Sequence, residues 1–295
     1  MSELHTPATR DFHWMSSVEG DPKVLRSLHE AMMTFYSEAG ERADYQEMLS
    51  SIDEHPGKDS STVRMARYIA SENPATVLEM GCGDGRLFRA LRREGWNAEY
   101  TGVEVADYVV DGNRARHPEA EWDVADAYDL PVETGTVELV CSEFVLEHLV
   151  YPVRALNEMM RVVEPGGQLL LVFPDFVSSG RLASQVLGFS PASTALERLR
   201  QGRLVDSVVS LYDSRVRLPR ALKRVREEVG PFPVNLRPQC LTYSGITSPD
   251  VDAVYIASKD EVEDWAHNQN LRVTFPWGRS GRFYENAHIS MLKSC

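Results

Sequence analysis

Three glycines at alternate positions, Gly81, Gly83 and Gly85, follow a short apolar run (residues 77–80) whose one acid is Glu79. Glycine at each place removes the Cβ that would hold a ligand off the backbone and permits positive φ, so a ligand can lie across the turn. Conformational turns and several kinds of nucleotide-binding turn share that pattern. Its context narrows it. Nineteen residues beyond Gly85, at the end of the next apolar run, stands Glu104, where an acid accepts hydrogen bonds from both hydroxyls of a ribose. The two features point to an adenosine group, carried either by a dinucleotide or by S-adenosyl-L-methionine. Glu79 favours the second, because a carboxylate inside the strand suits the ammonium end of a methionine moiety, and Glu79 and Glu104 together repel a pyrophosphate.

These residues need a scaffold that gathers strand ends. From residue 76 onward short apolar runs alternate with amphipathic stretches, as a parallel sheet with crossover helices requires. Strands are expected at 76–80, 98–105, 121–124, 137–141 and 168–174, within a ligand-binding core of residues 76–174. Residues 1–75 read as a helical lid segment: Val24, Leu25, Leu28, Met32 and Phe35 recur at helical spacing over 23–37, residues 43–52 extend the pattern, and Pro56-Gly57 punctuates it. From 175 to 250 the strand and helix rhythm stops, and helical stretches over 181–187, 193–212 and 219–229 make a cap insertion. Between residues 176 and 230 it holds ten arginines and lysines against five acids, a locally basic piece of an acidic chain. Alternation resumes over 251–257. Ser258 and Glu261 then form a capping-box pattern that opens a helix to about Asn268, and strands at 271–275 and 287–292 close the chain, so that 251–295 completes the core sheet.

Residues 76–174 resemble the class I S-adenosylmethionine-dependent methyltransferases, especially the small-molecule branch similar to ubiquinone and menaquinone biosynthesis enzymes. Glu79-Met80-Gly81-Cys82-Gly83-Asp84-Gly85 is similar to that family's first motif, and Glu104 to its ribose acid. Residues 123–131 resemble the third-strand motif, in which Asp126 would bond the adenine amino group and Ala127 offer its backbone NH to the ring. Residues 137–148, with Ser142 at the strand end, look like the fourth strand and its loop, and Glu164-Pro165-Gly166-Gly167 like the turn into the fifth. The resemblance implies S-adenosyl-L-methionine as cofactor, held by Glu79, Gly81, Cys82, Gly83, Gly85, Glu104, Asp126, Ala127 and Ser142. It also implies a doubly wound α/β (Rossmann-like) fold with a seven-stranded, mostly parallel sheet and an antiparallel last strand.

Methyl transfer from a sulfonium is an in-line displacement with the acceptor atom about 3 Å from the methyl carbon, so positioning supplies much of the catalysis. A phenol or alcohol must also lose a proton. His148, just after the fourth strand at the carboxyl edge of the sheet, is the candidate general base; the competing reading has Glu147-His148 fixing a helix start or facing solvent. Oxygen is therefore the expected acceptor of a small molecule, an amine or amino sugar the next choice, and carbon the third. A catalytically silent S-adenosylmethionine-binding regulator and a dinucleotide oxidoreductase are the rival classes.

Related loops that bind a divalent metal carry a glutamate three residues before the second glutamate and its histidine; here Phe144 stands there, and no metal is expected. Nucleic-acid acceptors are disfavoured by Ser142-Glu143-Phe144 in place of a proline-proline-aromatic signature and by a net charge of −13. Cys141 is expected to pack in the core, and Cys82, Cys141, Cys240 and Cys295 show no CxxC pair. Tyr36 and Tyr45 are candidates to close over the cofactor, and Phe189, Leu204, Val208, Leu211 and Tyr212 to roof the acceptor pocket. Arg215, Arg217, Arg220, Lys223, Arg224 and Arg226 admit an acidic, phosphorylated or lipid-like acceptor, whereas Arg279 and Arg282 are expected in a solvated hairpin. The chain shows neither a signal sequence nor an apolar run near the roughly 18 residues of a membrane span, which suggests the cytoplasm; a homo-oligomer is left open.

Overall fold

The computed structural model describes residues 11–39, 60–187, 195–242, 250–279 and 286–294. In chain order the elements are β1 (Trp14–Ser16), α1 (Pro22–Ala39), α2 (Ser61–Glu72), β2 (Thr76–Met80), α3 (Arg86–Arg93), β3 (Glu99–Glu104), α4 (Asp107–Arg116), β4 (Glu121–Val124), β5 (Val137–Glu143) and α5 (Pro152–Val162). There follow β6 (Val163–Pro174), α6 (Phe176–Ser179), α7 (Ala195–Arg200), α8 (Leu204–Tyr212), α9 (Leu218–Val229), β7 (Pro233–Asn235), α10 (Gln239–Thr242), α11 (Lys259–Asn268), β8 (Arg272–Thr274) and β9 (Asn286–Leu292). A single 3-10 turn, Leu146–His148, follows β5, and a π turn, Asp213–Arg217, joins α8 to α9.

Seven strands form one sheet in the order β4-β3-β2-β5-β6-β9-β8, with β2 to β6 parallel to one another and β9 running antiparallel between β6 and β8. The expected doubly wound sheet with its reversed strand is therefore present. Buried on both faces, its central strands read as continuous apolar runs rather than alternating ones. Side chains alternate all the same: Leu169, Leu171 and Phe173 of β6 join Leu78 and Met80 of β2 in one core, while Leu170 and Val172 join Val77 in the other. Helices α1, α5, α9 and α11 pack in the first core and α2 and α3 in the second. Cys141 is fully buried in β5, as its place in the strand implied.

Several local expectations fail for physical reasons. β1, within the segment read as helical, pairs antiparallel with β7, Met15 opposite Val234, and so ties the N-terminal segment to the insertion. Residues 181–187 form turns, not a helix. Gly202, at φ +76, divides the stretch read as one helix over 193–212 into α7 and α8. Residues 251–257 are buried, and apolar but for Asp252, yet they make only an isolated bridge, Val234 to Tyr255. The capping box does not form. Helix α11 starts after Ser258, but Ser258 makes no side-chain cap bond; Glu261 is 2% exposed and accepts instead from the Phe232 amide (2.7 Å) and the Tyr255 hydroxyl (2.9 Å). A buried carboxylate must find partners in the interior before it can serve a helix end. The expectations on residues 43–52, Tyr45, Pro56-Gly57, Phe189, Arg282 and Cys295 lie outside the described residues.

Candidate active site

Strands β2 and β3 end side by side, Met80 opposite Val103. The chain then turns back so that the amides of Gly81 and Cys82 both donate to the Val103 carbonyl (2.7 and 3.0 Å). Two glycines in this turn are required for different reasons. At Gly81, φ is +74 and an added Cβ would lie 2.2 Å from Val145 Cγ2. At Gly83, φ is +48 and an added Cβ would meet nothing within 4 Å, because it would project into open space. Asn113 of α4, fully buried, clamps the turn by donating to the Gly83 carbonyl (2.7 Å).

That open space is a cavity of about 990 Å³ at the carboxyl ends of β2 to β5, at the upper end of the range for ligand sites. Glu79, Gly81, Cys82, Gly83, Glu104, Asp126, Ala127 and His148 all line it. Two other candidates do not. Gly85 begins α3, and an added Cβ there would meet Trp122 at 2.8 Å, so it serves packing. Ser142 is 1% exposed, paired with Leu171 inside the sheet, and the next residue, Glu143, lines the cavity in its place.

At one end of the cavity the Glu104 carboxylate is fixed by three backbone amides, those of Val105 (2.8 Å) and Ala106 (3.3 Å) on Oε1 and that of Gly83 (3.2 Å) on Oε2. A carboxylate offers about four acceptor positions, so Oε2 keeps one for a hydroxyl. Glu79, 3% exposed, takes the Tyr100 hydroxyl on Oε2. Burial pushes its carboxyl well above the usual range, against the Tyr100 bond, and Glu143 adds to the rise. A cation placed beside it would restore the charged form. Asp126 accepts from the Tyr128 amide (3.2 Å) and opens the loop after β4. These donors and acceptors fit an adenosine with an ammonium-bearing tail: an acid for the ribose, a glycine cradle for the backbone-facing atoms, and an acid for the ammonium.

At the other end stands His148, in the 3-10 turn after β5. Its Nδ1 is buried and lies 3.6 Å from Asp252 Oδ2, while Nε2 lies 3.8 Å from Glu147 Oε1. Burial alone would favour the neutral imidazole, but Asp252, Glu147 and Asp250 outweigh it and raise the pKa to about 8. Burial likewise lifts Glu147 to about 8, His148 opposing and Asp250 and Asp252 adding. Tyr36 of α1 donates its hydroxyl to Asp252 Oδ2 (3.0 Å) and sets its ring edge-on to His148 at 6.2 Å. Thr62 of α2 donates to Glu143 Oε2 (2.7 Å). Helices α1 and α2 thus both reach the site. Phe144 lines it as well, in a left-handed conformation (φ +55) that a non-glycine residue seldom adopts.

Sequence reasoning missed Asp252, Asp250, Asn113 and Glu143. The signal for Asp252 was an acid inside an otherwise apolar run, Val251-Asp252-Ala253-Val254-Tyr255-Ile256-Ala257.

Residues 78–171 match the Methyltransferase domain family. That segment is a methyltransferase domain. Similar curated proteins include the 2-phytyl-1,4-naphtoquinone methyltransferase of Thermosynechococcus vestitus, 31% identical over 46% of this chain and 56% of its own length. Another is the biotin biosynthesis bifunctional protein BioHC of Cellvibrio japonicus, 27% identical over 55% of this chain and 29% of its own. The domain also matches an uncharacterised 37.1 kDa protein in transposon TN4556 of Streptomyces fradiae, 29% identical over 44% of this chain and 34% of its own length. The chain thus spans about a third of the length of the last two relatives. Among solved structures, a chain from the complex of the Haloferax volcanii Trm112 methyltransferase activator and a methyltransferase shares the fold, with a TM-score of 0.50 and 15% identity over 88% of this chain and 98% of that one.

Proposed function

We propose that the chain methylates an oxygen of a small, lipid-like acceptor, with S-adenosyl-L-methionine held by Glu79, Gly81, Cys82, Gly83, Glu104, Asp126 and Ala127. The observation that carries this reading is that one cavity joins the Gly83 and Glu104 end to the His148 and Asp252 end. S-adenosyl-L-methionine held there would supply the methyl group. His148 takes the acceptor proton on Nε2, the nitrogen that faces the cavity when Nδ1 is buried beside Asp252. Asp252 holds the imidazolium that results, and Tyr36 holds Asp252. Helices α1 and α2 cover the site and keep water from competing for the base.

An amine acceptor is the second reading, and a specific feature favours it: two acids, Asp250 and Asp252, line the acceptor end of the cavity. The same feature argues against an acidic acceptor. Calorimetric titration with S-adenosylmethionine, S-adenosylhomocysteine and NAD tests the cofactor assignment, with micromolar binding of the sulfur nucleosides and silence from NAD expected. Tight NAD binding would discard it. A methyl-transfer screen of matched phenols and amines then separates the two acceptors.

A further inference from the structure

Seven of the thirteen exposed large apolar side chains among the described residues fall between 196 and 212: Leu196, Leu199, Leu204, Val205, Val208, Leu211 and Tyr212, each 48 to 73% exposed. Helix α8 is built inside out. Ser207 is buried and donates its hydroxyl to the Ala195 carbonyl of α7 (2.7 Å), so the polar face meets the neighbouring helix. The stripe at 204, 205, 208, 211 and 212, which helical spacing puts on one side, faces outward. The sequence expectation that this stripe roofs the acceptor pocket fails, since none of Leu204, Val208, Leu211 and Tyr212 lines the cavity. A contiguous apolar face of this kind marks an interaction surface.

We propose that α7 and α8 dock the protein on an anionic lipid bilayer. The charge around the stripe selects this occupant. Residues 195–224 contain eight arginines and lysines against three acids, in a chain of net charge −13. Exposed Arg200 and Arg203 precede the stripe and exposed Arg215, Arg220, Lys223 and Arg224 follow it; Arg203 is partly neutralised by Asp206 (2.7 Å). The segment continues without a break from α8 through the π turn into α9, Asp213 and Leu218 both keeping right-handed helical angles, so the stripe of α8 and the basic residues that follow it belong to one helical segment. A second copy seated on the stripe by a two-fold axis would set this basic segment against itself. Lipid phosphates meet the same arginines with attraction, while the acyl region takes the leucines and valines. No described helix is long and apolar enough to cross a membrane, and the stripe would lie in the interface.

Flotation of the full chain with vesicles of phosphatidylcholine, with and without phosphatidylglycerol, tests this. The protein should float with the anionic vesicles, and high salt should release it. Val205→Asp with Val208→Asp should lower the bound fraction roughly tenfold, and Arg200→Gln with Arg203→Gln and Arg215→Gln should lower it for anionic vesicles. Both variants should keep wild-type affinity for S-adenosylhomocysteine, which shows that they are folded. Absence of binding to anionic vesicles, or binding that the aspartate pair leaves intact, would overturn the proposal. So would a dimer by light scattering that the aspartate pair dissociates, with no vesicle bound.

Discussion

Burial alone would leave His148 neutral at physiological pH, yet Asp252, Glu147 and Asp250 hold its pKa at about 8. A base can accept a proton only when it has none, so the reactive fraction grows as pH rises through that value. If His148 is the base, kcat should climb about tenfold per pH unit below the pKa and level off above it. Asp252→Asn removes the largest charge that raises the imidazolium, so the rising limb should move to lower pH and the plateau should fall. A limb that stays in place in that variant would show that Asp252 does not set the titration. His148→Gln should cut turnover by roughly 100-fold with S-adenosylhomocysteine affinity unchanged. At the other end of the cavity, Asp126→Ala should weaken cofactor binding by about 1–3 kcal/mol if its carboxylate pairs with the adenine amino group. Unchanged affinity in the calorimeter would remove that assignment.

The turn between β2 and α3 separates two uses of glycine that one motif presents as alike. Gly81→Ala would force a methyl onto Val145 at 2.2 Å and hold alanine at φ +74, so it should destabilise the fold by more than the roughly 1–2 kcal/mol of left-handed backbone alone. Gly83→Ala meets no protein atom; its thermal midpoint should fall only by that backbone cost, while cofactor affinity drops because the methyl enters the cavity. Equal loss of stability in both variants would contradict the distinction. This element was legible in the sequence because its chemistry is local: strand, turn and helix lie within residues 76–93, and Glu104 ends the neighbouring strand. At the acceptor end only His148 was, without its partner acids. His148 and Asp252 meet only because residues 250–257 thread back under the β5 loop, where the Val254 and Tyr255 amides both bond to the Glu147 carbonyl (2.7 and 2.8 Å). No periodicity marks such a segment, since it is buried without belonging to a ladder. Gly85 and Ser142 were misplaced for the opposite reason: a motif fixes the order of residues, but the pleat and the start of a helix decide which of them face the ligand.

Across the whole molecule, the acids gathered at the site make stability depend on pH in a direction opposite to that of most surface carboxylates. Glu147 holds its proton to about 8 against an ordinary 4.5, and His148 to about 8 against 6.5; Glu79 and Asp250 shift upward too. Between the ordinary and the raised values the folded chain binds protons that the unfolded chain has shed, so unfolding becomes easier as pH rises. The lowered acids, Asp84 and Glu158, act below their ordinary values and leave this window alone. One such proton is worth about 1.4 kcal/mol per pH unit. The ligand-free protein should therefore lose roughly 2 kcal/mol or more between pH 6.5 and 8.5, a fall of about 4–8 °C in thermal midpoint. Glu147→Gln keeps the shape of the buried side chain and removes its charge. It also relieves part of the upward pull on His148, so both contributions shrink together. That variant should melt above the wild type at pH 8.5 and show a flatter profile across the window, measured by calorimetry without cofactor. A wild-type midpoint that rises with pH over this range would mean that these groups ionise in the folded chain as they do in water, and the electrostatic account of the acceptor end would fail with it.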